Sequence, residues 1–256
     1  MQIKIGVFWV SENWGVYITN INERVAYVRL DVGIKESVPI KEAGTLVKVI
    51  MRMKPFLFLK DRKLDLNLMG TIEEDIMEHI PESSSHFFVG VITFKNKKTI
   101  YYYTSNAAAL QKALEHILAR YRKVDFEIKQ KDDQGWDFYN NYLYPDPYEE
   151  QWMHNDRLLR LLEKNGDDLK TPRKTSHWFY FKSVQDRNQF QEIIAKEGFD
   201  ILVTEEVEGD LPYQLQVERI DKVDYNSINE LTSFLVKHAL DNKGQYDGWE
   251  TQVIKK

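Results

Sequence analysis

The sequence contains no cysteine. Disulfides, Cys-ligated zinc, iron–sulfur clusters and thiol chemistry are thereby excluded. No apolar run approaches the ~18 residues of a membrane span. The apolar start, Met1 to Val10, is too short for a signal-peptide core and has no small-residue cleavage site, so the expectation is a cytoplasmic protein. An excess of positive charge is also missing: 35 Lys and Arg stand against 40 Asp and Glu, a net charge of −5. That balance speaks against a dedicated nucleic-acid binder. The chain has no Gly-rich phosphate loop ending in Gly-Lys-Ser/Thr, no strand followed by G-x-G-x-x-G, no G-x-S-x-G elbow and no H-E-x-x-H. The common NTPase, dehydrogenase, hydrolase and zincin chemistries therefore lack their local signatures. No residue set calls for a cofactor.

The 256 residues are 43% apolar, 29% charged and 13% aromatic, an ordinary globular composition that fits one or two domains. Strand-like runs open the first half. Residues 16–19 and 25–30 flank a hairpin turn at Asn20–Glu23, and Leu46–Met53 forms a further strand that stops before Pro55. Leu68, Ile72, Ile76 and Ile80 recur every four residues and predict a helix closed by Pro81. Phe87–Phe94 and Thr99–Thr104 flank Lys95-Asn-Lys-Lys98 as a second hairpin. Asn106 heads a helix carrying Leu110, Leu114, Ile117 and Leu118, and a strand follows at Val124–Ile128.

The second half repeats the order. A helix carries Trp152, Leu158, Leu159 and Leu162. Next come strand His177–Phe181, a helix through Phe190 and Ile194, and strands Phe199–Val203 and Tyr213–Val217. Last are a helix through Ile228, Leu231 and Leu235, and strand Trp249–Val253. Each half thus reads β-α-β-β-α-β, the split βαβ order. The fold expected is α+β: two ferredoxin-like domains with antiparallel sheets, residues 1–146 and 147–256, the first preceded by a β-hairpin. Helices should lie on one face of each sheet and leave the other open. The junction is aromatic where a free linker would be polar. Trp136, Tyr139 and Leu143 fit one face of a short helix and are expected to pack between the domains.

Several side-chain groups are candidates for chemistry. Asp75 and His79 have the i, i+4 spacing of metal ligands, yet Glu73, Glu74 and Glu78 beside them favour a solvated acidic face. His177 and His238 border apolar runs and read as structural or surface residues. Glu205, Glu206, Glu208 and Asp210 crowd one hairpin, where little burial is available to separate their pKa values for acid–base work. Tyr101, Tyr102 and Tyr103 lie near Lys95, Lys97 and Lys98, with Arg120, Arg122 and Lys123 further on. Such a tyrosine-rich strand can stack RNA bases, but the RNP1 pattern is not met and the bland reading is core packing.

Two stretches carry family resemblances. Ile72–Ile76, Val89–Thr93, Tyr101–Thr104 and Trp136–Pro145 resemble a bacterial domain of unknown function, the family numbered six-nine-five, over roughly residues 10–147. His177-Trp-Phe-Tyr-Phe181, the helix end at Glu197-Gly-Phe199 and the segment Tyr246-Asp-Gly-Trp249 are similar to the family of regulators of ribonuclease activity B. That resemblance implies a ferredoxin-like α+β fold and a non-enzymatic protein that binds ribonuclease E and inhibits RNA cleavage. Characterised members are strongly acidic and carry an acidic tail. Here residues 151–256 hold 15 Lys and Arg against 19 Asp and Glu, and the chain ends Ile254-Lys-Lys256.

The functional expectation is a non-catalytic protein-interaction module that regulates RNA turnover by binding a ribonuclease E-type enzyme. The alternatives are an enzyme with a non-local site and an RNA binder using Tyr101–Tyr103. The residues expected to meet a protein partner are Glu205, Glu206, Glu208, Asp210, Tyr246 and Asp247. The bland reading of Tyr-Asp-Gly-Trp is a bulge at Gly248, a local turn at Asp247 and a core plug at Trp249.

Overall fold

The computed structural model of the protein describes residues 2–5, 8–11, 13–55 and 63–255. The chain forms two compact units, Met1–Pro145 and Asp146–Lys256. The first opens with the paired strands β1 (Gln2–Ile5) and β2 (Phe8–Ser11). Strands β3 (Trp14–Ile21) and β4 (Arg24–Asp31) follow as the expected hairpin. Its two-residue turn is Asn22-Glu23, both with positive φ of 49° and 60°, the backbone that a type I′ turn requires. Next come β5 (Thr45–Met53), α1 (Leu66–His79), β6 (His86–Phe94), β7 (Lys97–Thr104), α2 (Ala107–Leu118) and β8 (Val124–Asp132). The sheet order is β3-β4-β6-β7-β5-β8, antiparallel throughout. The last four strands have ferredoxin-like topology, and the hairpin extends the sheet beyond β6.

α1 starts where the Asp65 carboxylate accepts from the Leu68 amide at 3.1 Å. It buries Met69, Ile72, Glu73 and Ile76, while α2 buries Leu110, Leu114, Ile117 and Leu118. Both stripes pack onto Val47, Val49 and Met51 of β5 and Ile100 and Tyr102 of β7. Each such side chain contributes roughly 1.5–3 kcal/mol of transfer free energy.

The opposite face of this sheet is not open. Residues 136–144, ending in one π-helical turn at Tyr139–Leu143, lie across it. Trp136 stacks on Tyr103 with centroids 3.8 Å apart, and Phe138 stacks on Tyr101 at 4.7 Å. Tyr139 Oη donates to the Asp31 carbonyl at 2.7 Å, and Tyr17 Oη donates to the Leu143 carbonyl at 2.8 Å. Asp133 anchors the start of this strap: its carboxylate accepts from Tyr103 Oη and from the amides of Asp137 and Phe138. Gly90 makes room for it, since a Cβ there would lie 2.8 Å from the Arg29 carbonyl and 3.0 Å from a Leu143 methyl. Trp136, Tyr139 and Leu143 are fully buried by these contacts. Their burial is thus accounted for inside the first domain, where the sequence suggested a domain junction.

The second unit begins with α3 (Pro147–Lys164), headed by a capping box of Asp146 and Glu149. β9 (Arg173–Phe181), α4 (Val184–Lys196), β10 (Asp200–Glu206), β11 (Tyr213–Asp221), α5 (Tyr225–Asp241) and β12 (Gly244–Thr251) complete it. The order β10-β11-β9-β12 is again ferredoxin-like and antiparallel. Phe179, Phe181, Phe190, Leu215, Val217, Ile228, Leu235 and Trp249 share one core. No helix among the described residues is long and apolar enough to cross a membrane.

Candidate protein-binding face of the second domain

Alternation along β9 divides the second sheet into two faces. Thr175, His177, Phe179 and Phe181 are buried, while Lys174, Ser176, Trp178 and Tyr180 are exposed or half-buried. The helices occupy the first side. On the other side the pairing aligns Glu205, Gln214, Tyr180 and Gln245 in one row across all four strands. Tyr180 holds its proton above the ordinary range through burial, then through the charges of Asp247 and Glu205. Two regions distant in sequence, the acidic hairpin and the Tyr-Asp-Gly-Trp segment, therefore converge beside one tyrosine. Asp200, Glu218 and Glu250 extend the acidic surface along the same face. Its cation Lys174 is bonded to Glu218 at 2.6 Å.

The predicted partner residues divide between strand, turn and core. Glu205 and Glu206 end β10, Glu208 and Asp210 occupy the turn, and all four are exposed. Asp247 is exposed in a bulge of β12, between Tyr246 opposite Phe179 and Gly248 opposite Trp178. Gly248 takes φ +127° there, where an L side chain is strained. Tyr246 is a correction. Regular pairing with Phe179 places it on the helix side, only 8% exposed, and its hydroxyl lies 2.8 Å from His177 Nδ1. Tyr246 is an interior residue whose burial raises its pKa. Trp249 is interior too, its Nε1 donating to Asn155 Oδ1 at 2.8 Å.

Asn155 is the residue that sequence reasoning missed. It is fully buried on α3. Its Nδ2 donates to Asn229 Oδ1 and Thr232 Oγ1, each at 2.8 Å, and its Oδ1 accepts from Gln151 Nε2 at 2.8 Å as well as from Trp249. A polar residue amid a charged helix gives no sequence signal for this role. His177, also fully buried, spans Tyr246 Oη and Thr175 Oγ1 (3.2 Å from Nε2). Burial, aided by Arg219, lowers its pKa to about 3. Beside the bulge, Glu150, His154, Lys182, Lys243 and Asp247 surround an open cleft of about 490 Å³. His177 is enclosed elsewhere and does not line this cleft.

The candidates of the first domain are structural. Tyr101, Tyr102 and Tyr103 are all buried, because helices cover one face of β7 and the aromatic strap the other. They are not available to stack RNA bases. Glu73 is buried rather than solvated; it pairs with both Arg29 and Lys98. Burial, with Arg29 nearby, lowers the Lys98 pKa to about 8. Asp75 lies 3.0 Å from His79 Nδ1, but its other oxygen accepts from Tyr121 Oη at 2.6 Å and meets Arg120 at 3.0 Å. It ties α1 to the end of α2. Among the described residues, no group of three or more His, Asp or Glu side chains is arranged to hold a metal ion.

The fold defines a tandem of two ferredoxin-like α+β domains. The chain belongs to the family of unknown function DUF695, whose model matches residues 12–144. Residues 152–251 match the family model described as regulator of ribonuclease activity B. No curated protein matches the chain. Among solved structures, the chain is similar to an unknown protein from Galdieria sulphuraria, with 14% identity over 82% of this chain and 99% of that one, at a TM-score of 0.23. It is also similar to a putative glycine cleavage system transcriptional repressor, with 10% identity over 83% and 98%, at a TM-score of 0.24. At these scores neither bears on fold or function.

Proposed function

We propose that this protein is a non-catalytic, cytoplasmic regulator that binds another protein through the acidic face of its second domain. The observation that carries this reading is the convergence of Glu205 and Asp247 on Tyr180, on a sheet face that no helix of its own domain covers. The match to regulators of ribonuclease activity B over residues 152–251 supports the same reading. Carboxylates around half-buried Trp178 and Tyr180 suit a basic partner surface. Aromatics supply the desolvated anchor and the charges supply steering. The target class is a ribonuclease E-type endoribonuclease, and binding lowers its cleavage of RNA.

The test is an RNA-cleavage assay with the host's ribonuclease E-type enzyme, with and without this protein, together with a direct binding measurement. A complex and slower cleavage are expected, and Trp178→Ala should weaken both with little change in Tm. No complex and no inhibition, at protein concentrations well above that of the enzyme, would overturn the ribonuclease assignment.

A further inference from the structure

The sheet edges of this molecule are not treated alike. An uncovered edge strand offers unpaired backbone groups to any passing strand, and proteins blunt it with charges or bulges. β8 carries Asp125, Glu127, Lys129, Lys131 and Asp132. β10 carries Asp200, Glu205 and Glu206 and a register shift between Ile201 and Val203. β12 carries Asp247 and Glu250 and its own bulge. β3 is different. It reads Trp-Gly-Val-Tyr-Ile-Thr-Asn-Ile, with no charge and no proline, and pairs with β4 without a register shift. Among the described strands it has a neighbour on one side only.

The side chains on this edge are equally unguarded. Val16 is 59% exposed and Ile18 54%, beside Val25 at 53% and Tyr27 at 56%. The register places all four on the face that carries α1 and α2, where the hairpin extends past α1 as an apolar shelf. The backbone phase is also defined. The two-residue turn makes Ile21 and Arg24 a hydrogen-bonded pair, and alternation gives the same role to Thr19, Tyr17 and Gly15. The amide and carbonyl groups of Val16 and Ile18 therefore point away from β4.

We propose that β3 pairs antiparallel with β3 of a second copy of this chain about a two-fold axis at Tyr17. In that register Val16 stands opposite the partner's Ile18, and Ile18 opposite the partner's Val16. Both are outward-bonding positions, so the ladder closes reciprocally, as an isologous contact demands. The two apolar shelves merge into one patch. β3 is uncharged, so no like charges meet along the paired strands. Four half-exposed side chains per copy fall short of the ~800 Å² per partner of a standard stable interface. The dimer is accordingly reversible and weak.

Sedimentation velocity across a micromolar to submillimolar concentration series tests this. A monomer–dimer equilibrium is expected, and Ile18→Lys should weaken it at least tenfold while leaving Tm unchanged. Absence of cysteine permits a register test. Mild oxidation of a mixture of Val16→Cys and Ile18→Cys chains should give more cross-linked dimer than either chain alone. A monomer at every concentration would overturn the proposal. So would a dimer insensitive to Ile18→Lys, or equal cross-linking of mixed and unmixed chains.

Discussion

The indole N–H of Trp249 donates to Asn155 Oδ1, 94 residues earlier in the chain, at 2.8 Å in the interior of the second domain. This bond joins β12 to α3, and Asn155 also bonds Gln151, Asn229 and Thr232. Replacing Asn155 by Leu removes every one of these contacts and leaves a buried indole N–H unsatisfied. Each such orphan costs about 1–3 kcal/mol. Asn155→Leu should lower unfolding free energy by about 2–4 kcal/mol in urea titrations. A loss below ~0.5 kcal/mol would show that the network is not a structural link.

The strap of the first domain gives a second expectation. Trp136 fills the space over Tyr103, and truncating a buried aromatic to Ala typically costs about 3–5 kcal/mol. Trp136→Ala should therefore unfold the first domain at lower denaturant, and the second should keep its own transition. If the segment were a mere linker, the variant would unfold as wild type does.

Two histidines, His177 fully buried and His86 half-buried, set the acid response. Burial lowers the pKa of His86 to about 4 and that of His177 to about 3, against an ordinary value of 6.5. Both rings stay neutral when folded and gain a proton on unfolding once the pH is below about 6.5. Stability is thus complete above pH 6.5 and declines as the pH falls toward 4 and 3. The slope is roughly 1.4 kcal/mol per pH unit for each ring. Urea midpoints at pH 7, 6 and 5 should fall in that order, and less steeply for His86→Gln. Midpoints constant over this range would contradict the neutral interior of both domains.

Charge reversal at the convergent carboxylates separates steering from anchoring. The double variant Glu205→Lys, Asp247→Lys should slow association with a basic partner and weaken its salt dependence, with a small effect on dissociation. Both side chains are exposed, so folding should be unaffected. Normal association kinetics in stopped-flow measurements would move the contact to another surface.

Much of this architecture is written in apolar periodicity. Ile72 and Ile76 on α1, and Leu110, Leu114 and Ile117 on α2, were legible because their spacing alone decides which face is buried. Polar burial was not. Glu73 sits among Glu74, Asp75 and Glu78, and only Arg29 and Lys98, arriving from β4 and β7, reveal that it faces inward. The strap over Tyr101 and Tyr103 could be read as aromatic, but not as belonging to that sheet, because its contacts span more than 30 residues. On the candidate binding face, regular pairing from Gly244 turns Tyr246 inward and Asp247 outward, and the extra residue of the bulge then returns Trp249 to the interior side.

The hydrogen bond from Tyr17 to the Leu143 carbonyl spans 126 residues, and that from Tyr139 to Asp31 spans 108. During synthesis, then, the first sheet is left without its second cover until the ribosome has released Leu143, almost at the domain's last residue. Contacts of such separation incur loop-closure entropy before any reward and make for slow folding. A nascent chain with only the residues up to about 130 clear of the exit tunnel would present the ring faces of Tyr101 and Tyr103 to solvent, a ready target for a chaperone. One arrested only a few dozen residues later, with the strap clear of the exit tunnel, would have hidden them.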